Sequence, residues 1–134
     1  MAQAAPRVGA VGWPEIDALH VEFEQCVDEL RAAPDALLSE ALDALEAHLQ
    51  RHFGAEERLM QQCSLPVLGC HKREHDMVAD VLRQVRQRHA QGDVSVVRRL
   101  IDELPQWFEV HAGTHDTALA DFLKAAHAGA AASA

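Results

Sequence analysis

Tyrosine is absent from the chain, and only two Trp and four Phe make up its aromatic residues. Cysteine is scarce as well: Cys26, Cys63 and Cys70 form no paired Cys-x-x-Cys motif, which argues against a structural zinc finger. An odd cysteine count with no secretory leader suits free thiols in a reducing compartment. No apolar run approaches the roughly 18 to 20 residues that a membrane span needs. The opening MAQAAPRVGA lacks the continuous apolar stretch of a signal peptide, so a cytoplasmic location is expected, with no membrane partner. Basic side chains are few, 12 against 21 acidic, for a net charge of −9. Affinity for phosphate backbones needs clustered Lys and Arg, so nucleic acid is excluded as a partner.

What the sequence has instead is histidine, nine of them in 134 residues. The length supports one compact domain, and a charged fraction of 25% beside 49% hydrophobic residues is a globular balance. Residues 1–12 are small and Gly/Ala/Pro-containing and read as a flexible arm, 13–126 as the folded domain, and the low-complexity 127–134 as a flexible tail. The charged surface suits a monomer.

Helical periodicity dominates, and no segment alternates at period two. Helix one is expected from Pro14, a good first-turn residue followed by Glu15 and Asp17, to just before Pro34, with the stripe Ile16, Leu19, Phe23, Cys26/Val27, Leu30. Helix two runs from about Asp35 through Leu38, Leu42, Leu45, Leu49, His52, Glu56, Leu59 and Cys63, and Ser64 and Pro66 break it. Helix three carries Leu68, His71, His75, Val78, Leu82, Val85 and His89 and stops at Gln91-Gly92-Asp93. Helix four carries Val97, Leu100/Ile101, Leu104, Phe108, His111, His115, Ala118 and Phe122, with Pro105 expected to kink or restart it. Four such helices with short connections make an all-α, antiparallel up-down-up-down four-helix bundle.

That fold puts polar groups where Leu or Val would ordinarily sit. His52, Glu56, His71, His75 and His111 fall on inward stripes, and His20 lies beside Leu19 on the buried face of helix one. Unpaired, these groups would together cost several kcal/mol of desolvation unless hydrogen-bonded or metal-bound. His52 and Glu56 are four residues apart, as are His71 and His75, so each pair projects from one helix face. In antiparallel helices the positions can come level in one half of the bundle. Imidazoles with carboxylates suit iron, manganese or zinc.

The residues His20 in IDALH, His52 and Glu56 in HFGAEERLM, His71 and His75 in HKREH, and His111 with Asp116 in HAGTHD resemble the hemerythrin pattern, and within it the single-domain bacterial type. The likeness extends over residues 13 to 123. It implies two non-haem iron ions joined by an oxo or hydroxo bridge. His71, His75 and His111 would hold one iron, His20 and His52 the other, and Glu56 and Asp116 would bridge them. The second iron would keep an open position for dioxygen, implying oxygen storage, delivery or sensing rather than catalysis. Phe23, Leu59, Trp107 and Phe108 would form a dry lining. A related di-iron bundle acting on peroxide or nitric oxide, or an iron-handling protein, is the alternative. Where the family usually has Gln before the first ligand His, this chain has Leu19.

Asp116 poses a register problem, because it lies five residues after His111, about 140° away on an α-helix. A π-bulge near Gly113 would turn Asp116 inward and move the later stripe to Leu119 and Leu123. His48 and His115 are expected to face solvent or to stand behind the ligands, and His89 and His127 to complement helix C-termini. Cys63 and Cys70 are read as independent thiols, and Asp17 as a candidate acceptor for the second ring N–H of His20.

Overall fold

Local signals in the sequence delimit the helices closely. In the computed structural model, which describes residues 10–66 and 68–133 with side chains through residue 129, helix α1 spans Pro14–Ala32, opening on its proline and an acidic first turn. It ends at Ala33, whose extended ψ of 131° is what a residue preceding proline favours. A 3₁₀ turn, Asp35–Leu37, leads into α2, Leu38–Gln62, so the regular helix begins with its stripe at Leu38, three residues after the expected start near Asp35. Ser64, at φ 55°, turns the chain toward α3, Leu68–Ala90. Gly92 closes α3 at φ 96°, its amide donating to the His89 carbonyl at 2.9 Å, a left-handed stop that glycine adopts without strain. Asp93 then accepts the Val96 amide at 3.2 Å and starts α4, Ser95–His111.

Helix α4 continues through Pro105, so of the kink or restart expected there the restart does not occur. Leu104 and Phe108, both buried on either side of the proline, hold the backbone by packing that outweighs the lost hydrogen bond. From His111 the chain passes through a π turn, Ala112–Asp116, into α5, Thr117–Ser133. These last three segments form one column, which with α1, α2 and α3 makes the expected four-helix bundle. The π turn has the predicted effect on register: Leu119 and Leu123 are buried, whereas Phe122 is 37% exposed. Helix α5 runs past residue 126, where the folded domain was expected to end. Among the described residues no helix is long and apolar enough to cross a membrane.

The core divides into two apolar blocks. The larger gathers Phe23, Val27, Leu30, Leu42, Leu45, Leu49, Val78, Leu82, Leu104 and Phe108, among others. The smaller holds Val11, Ile16, Leu59, Met60, Leu65, Leu119, Ala120 and Leu123. Every helical column crosses from one block to the other through polar residues.

The arm assigned to residues 1–12 lies largely outside the described residues, but its end is not loose. Val11 is buried, its amide and that of Gly12 donate to Asp17 at 2.7 and 3.0 Å, and its carbonyl accepts from Lys124 Nζ at 2.8 Å. Asp17 therefore serves the chain entry, each of its two oxygens accepting one of those amides.

The π turn accommodates one residue more than an α-helical turn. Gly113 is exposed, and a Cβ at its position would meet no atom within 4 Å, so excising this residue is expected to close the turn into α-helix. His111 and Asp116 would then stand one α-helical turn apart and still share a face. Helical circular dichroism should be unchanged and Tm within about 4 °C of the parent; a collapse of the thermal transition would show that the bulge itself, not the register it restores, is required.

Candidate metal centre

Between the two apolar blocks lie His20 from α1, His52 and Glu56 from α2, His71 and His75 from α3, and His111 and Asp116 at the two ends of the π turn, all at most 3% exposed. Sequence spacing accounts for the grouping. The i, i+4 pairs on α2 and α3 stack two donors on one face, and the π turn does the same for a pair five residues apart.

Each carboxylate divides its oxygens between two sets of rings. Glu56 Oε1 lies 3.2 Å from His71 Nε2 and 3.1 Å from His75 Nε2, while Oε2 lies 2.8 Å from His52 Nε2. Asp116 Oδ1 lies 3.0 Å from His71 Nε2 and 3.2 Å from His111 Nε2, while Oδ2 lies 2.8 Å from His20 Nε2. The donors thus fall into two groups, Glu56, His71, His75, His111, Asp116 and His20, His52, Glu56, Asp116, within each of which the ligating atoms lie no more than 4.8 Å apart. The two carboxylates belong to both.

Behind several rings stands a further polar group. His75 Nδ1 is 3.1 Å from Glu57 Oε2, and His111 Nδ1 is 2.8 Å from Glu74 Oε1. Glu74 also reaches His115 Nε2 at 2.8 Å. His52 Nδ1 faces His48 Nε2 at 3.0 Å. His48, expected at the surface or behind a ligand, is fully buried and takes the second of these places. His115 is partly exposed and lies beside His111, at 5.4 Å between ring centres.

These outer contacts decide whether the cluster fits a metal. A neutral imidazole carries one N–H and can serve one carboxylate. His75 and His111 each face carboxylates at both nitrogens, so with Nδ1–H committed outward the Nε2 lone pair points at a carboxylate oxygen. Protonation resolves that conflict, and so does a cation between the two lone pairs. His111 Nε2 and Asp116 Oδ1 are buried without a hydrogen bond although 3.2 Å apart, an alignment that suits a shared third centre better than each other. The donor set of imidazole nitrogens and carboxylate oxygens fits iron, manganese or zinc.

Without metal, the site stores charge. Burial disfavours the imidazolium form of His71, yet its contacts with Asp116 and Glu56 prevail and raise it to about 9. His111 is likewise raised against its burial, by Asp116 and then Glu74. Burial alone would raise Glu56 and Asp116; the surrounding rings instead hold both carboxyls well below the usual range. His48 goes the other way, lowered to about 4 by burial and the neighbouring His52.

Aromatic rings wall the cluster. Phe108 meets His20 edge-on with ring centres 4.9 Å apart, Phe23 packs on Phe108 at 4.4 Å, and Trp107 stacks on His111 at 4.6 Å. Leu59, expected beside them, sits in the smaller apolar block on the opposite side of the polar layer. Phe53 takes a place that spacing did not suggest, stacked on His75 at 4.0 Å and 7°. Neither Phe53 nor the pairing of Glu57 and Glu74 could be read from the sequence, because each depends on which neighbouring helix faces it. Cys63 and Cys70 are free; Cys63 Sγ approaches the Met60 carbonyl and Cys70 Sγ the Arg73 guanidinium.

Similarity to known proteins agrees with this geometry. A family model described as the hemerythrin HHE cation-binding domain matches residues 11–123. A bacteriohemerythrin of Ralstonia nicotianae is 39% identical over 107 residues, 80% of this chain and 78% of the relative. Bacteriohemerythrins of Stenotrophomonas maltophilia and Aquifex aeolicus are 27% identical over 119 residues and 28% over 123, covering 86% and 87% of this chain and 77% and 94% of theirs.

In metal-stripped protein, His71 is raised from an ordinary 6.5 to about 9. Its pairing therefore stabilises fully below pH 6.5 and is lost as pH rises through about 9. The stripped protein should lose Tm steadily over that interval, by an amount corresponding to a few kcal/mol. Protein loaded with a divalent metal, whose imidazoles are neutral throughout, should not. Equal pH profiles for the two forms, measured by differential scanning calorimetry, would contradict the charge-paired network.

Proposed function

The chain belongs to the hemerythrin family, and from that membership and the paired donor groups we propose that it binds dioxygen reversibly at a centre of two non-haem iron ions. The observation that carries this reading is the division of the Glu56 and Asp116 oxygens between two sets of imidazoles, the arrangement of a carboxylate-bridged pair. His71, His75 and His111 would hold one ion and His20 and His52 the other. That donor count would leave the His20–His52 side one protein ligand short of the other. When bound, the two ferrous ions supply electrons and an open position for dioxygen.

The protein contributes positioning and dryness. The Nδ1 contacts of His75 and His111 with Glu57 and Glu74 keep each Nε2 lone pair aimed into the core. On the side left one ligand short, Phe23 and Phe108 cover His20 and His52. Their outer faces floor a cleft of about 210 Å³ between α1 and α4, walled by Val27 and Pro105 and rimmed by the charged Glu24, Asp28, Arg31 and Glu109. A small neutral molecule can approach over such a surface, whereas an anion must shed its hydration to cross the aromatic pair. This favours dioxygen over competing anions.

The deciding measurement is iron per chain together with visible spectra of reduced protein before and after air. Two irons and a visible band that appears with air and disappears on deoxygenation are expected; irreversible oxidation would leave the centre but remove reversible carriage. Glu56→Ala should retain helical content while binding no more than one iron per chain, and full occupancy in that variant would contradict the bridge.

A further inference from the structure

The rings of His75 and His111 are backed by carboxylates, but His52 is backed by another histidine. His48 is the residue one helical turn before it, with 0% exposure and its Nε2 3.0 Å from His52 Nδ1. For His52 to offer a lone pair at Nε2, it must carry its proton on Nδ1 and donate it to His48 Nε2. His48 must then be the same tautomer, with its own proton on Nδ1 as well. That nitrogen is buried and faces Glu22 Oε2 at 3.5 Å, long for a hydrogen bond but on the side where an acceptor is required. Glu22, about half-exposed on α1, also lies 3.4 Å from Arg51. A chain of complementary groups therefore runs from the surface of α1 to the metal-facing nitrogen of His52.

We propose that His48, with Glu22 behind it, is a positioning residue that fixes the ring and tautomer of His52 and so sets the strength of the His20–His52 half of the centre. The proposal rests on the paired-iron reading above. It goes further by giving His52 a different support from that of His75 and His111. A carboxylate behind an imidazole makes it a stronger donor, as at His75 and His111. A neutral imidazole does so less, since the negative charge is moved one residue outward. Phe23, 6.3 Å away between ring centres, packs against the His48 ring and restricts its rotation.

The test uses metal-free full-length protein titrated with Co²⁺, followed by ligand-field absorption and by ions bound per chain. The parent should bind two. His48→Leu, which fills the same buried space but accepts no hydrogen bond, should weaken one of the two binding steps by roughly 10- to 100-fold and leave the other in place. His48→Gln, whose amide oxygen can accept from His52 and whose NH₂ can reach Glu22, should restore most of that loss. Glu22→Ala, at the surface and harmless to the core, should shift the same step by less; it keeps the test decisive if His48→Leu fails to fold. Glu74→Gln should weaken the other step. Two unaltered steps in His48→Leu, equal weakening of both with helicity retained, no rescue by Gln, or an unaltered step in Glu22→Ala would each overturn the role of His48. A parent that binds fewer than two ions would instead overturn the paired centre, a distinguishable failure.

Discussion

Two carboxylates with no exposed surface, Glu56 and Asp116, stand at the middle of this bundle, and the rest of the structure answers to them. A buried carboxylate without compensation is among the most costly groups a core can hold. Here five imidazoles surround the pair, supplied by α1, α2, α3 and the end of α4. No single helix could do this: each provides one or two side chains, and only the closed bundle places all seven level. The apolar blocks on either side keep water out, which strengthens the electrostatic interactions within the layer and raises the cost of leaving any group unmatched.

Much of this was legible in the sequence because periodicity exposes a contradiction. Leu38, Leu42, Leu45 and Leu49 set a stripe that continues through His52 and Glu56, so the polar residues had to be inward. Gly92 and Pro34 marked helix ends through backbone preferences that act locally. The spacing between His111 and Asp116 was informative because it was wrong for an α-helix: two residues of one site, five apart, require a local change in winding. Pro105 does not restart the helix, because the packing of buried Leu104 and Phe108 offsets the roughly 3 kcal/mol that a proline costs inside a helix.

The supporting groups were less legible for a related reason. Glu57 and Glu74 are ordinary charged residues beside ligand positions, and many such residues face water. Their partners lie 18 and 37 residues away, across helix interfaces whose rotation periodicity does not specify. His48 was noticed as a neighbour of His52 on the same face, but its complete burial follows from how closely α1 approaches α2 at Glu22 and Phe23. The end of the arm was misjudged for the same reason. Small residues before Pro14 suggest looseness, yet Val11 finds a place beside Ile16 and Leu119 once Asp17 gathers the two amides.

The contact between His20 and Asp116 joins residues 96 positions apart. The first column of the bundle must therefore meet the last before the layer closes, and no contiguous part of the chain shorter than that span contains all seven donors. During synthesis the cluster stays incomplete until Asp116 has emerged and the π turn has formed. A pair of ions seated there would tie α1 to the segment that follows α4, so that occupancy would also report that the bundle had closed.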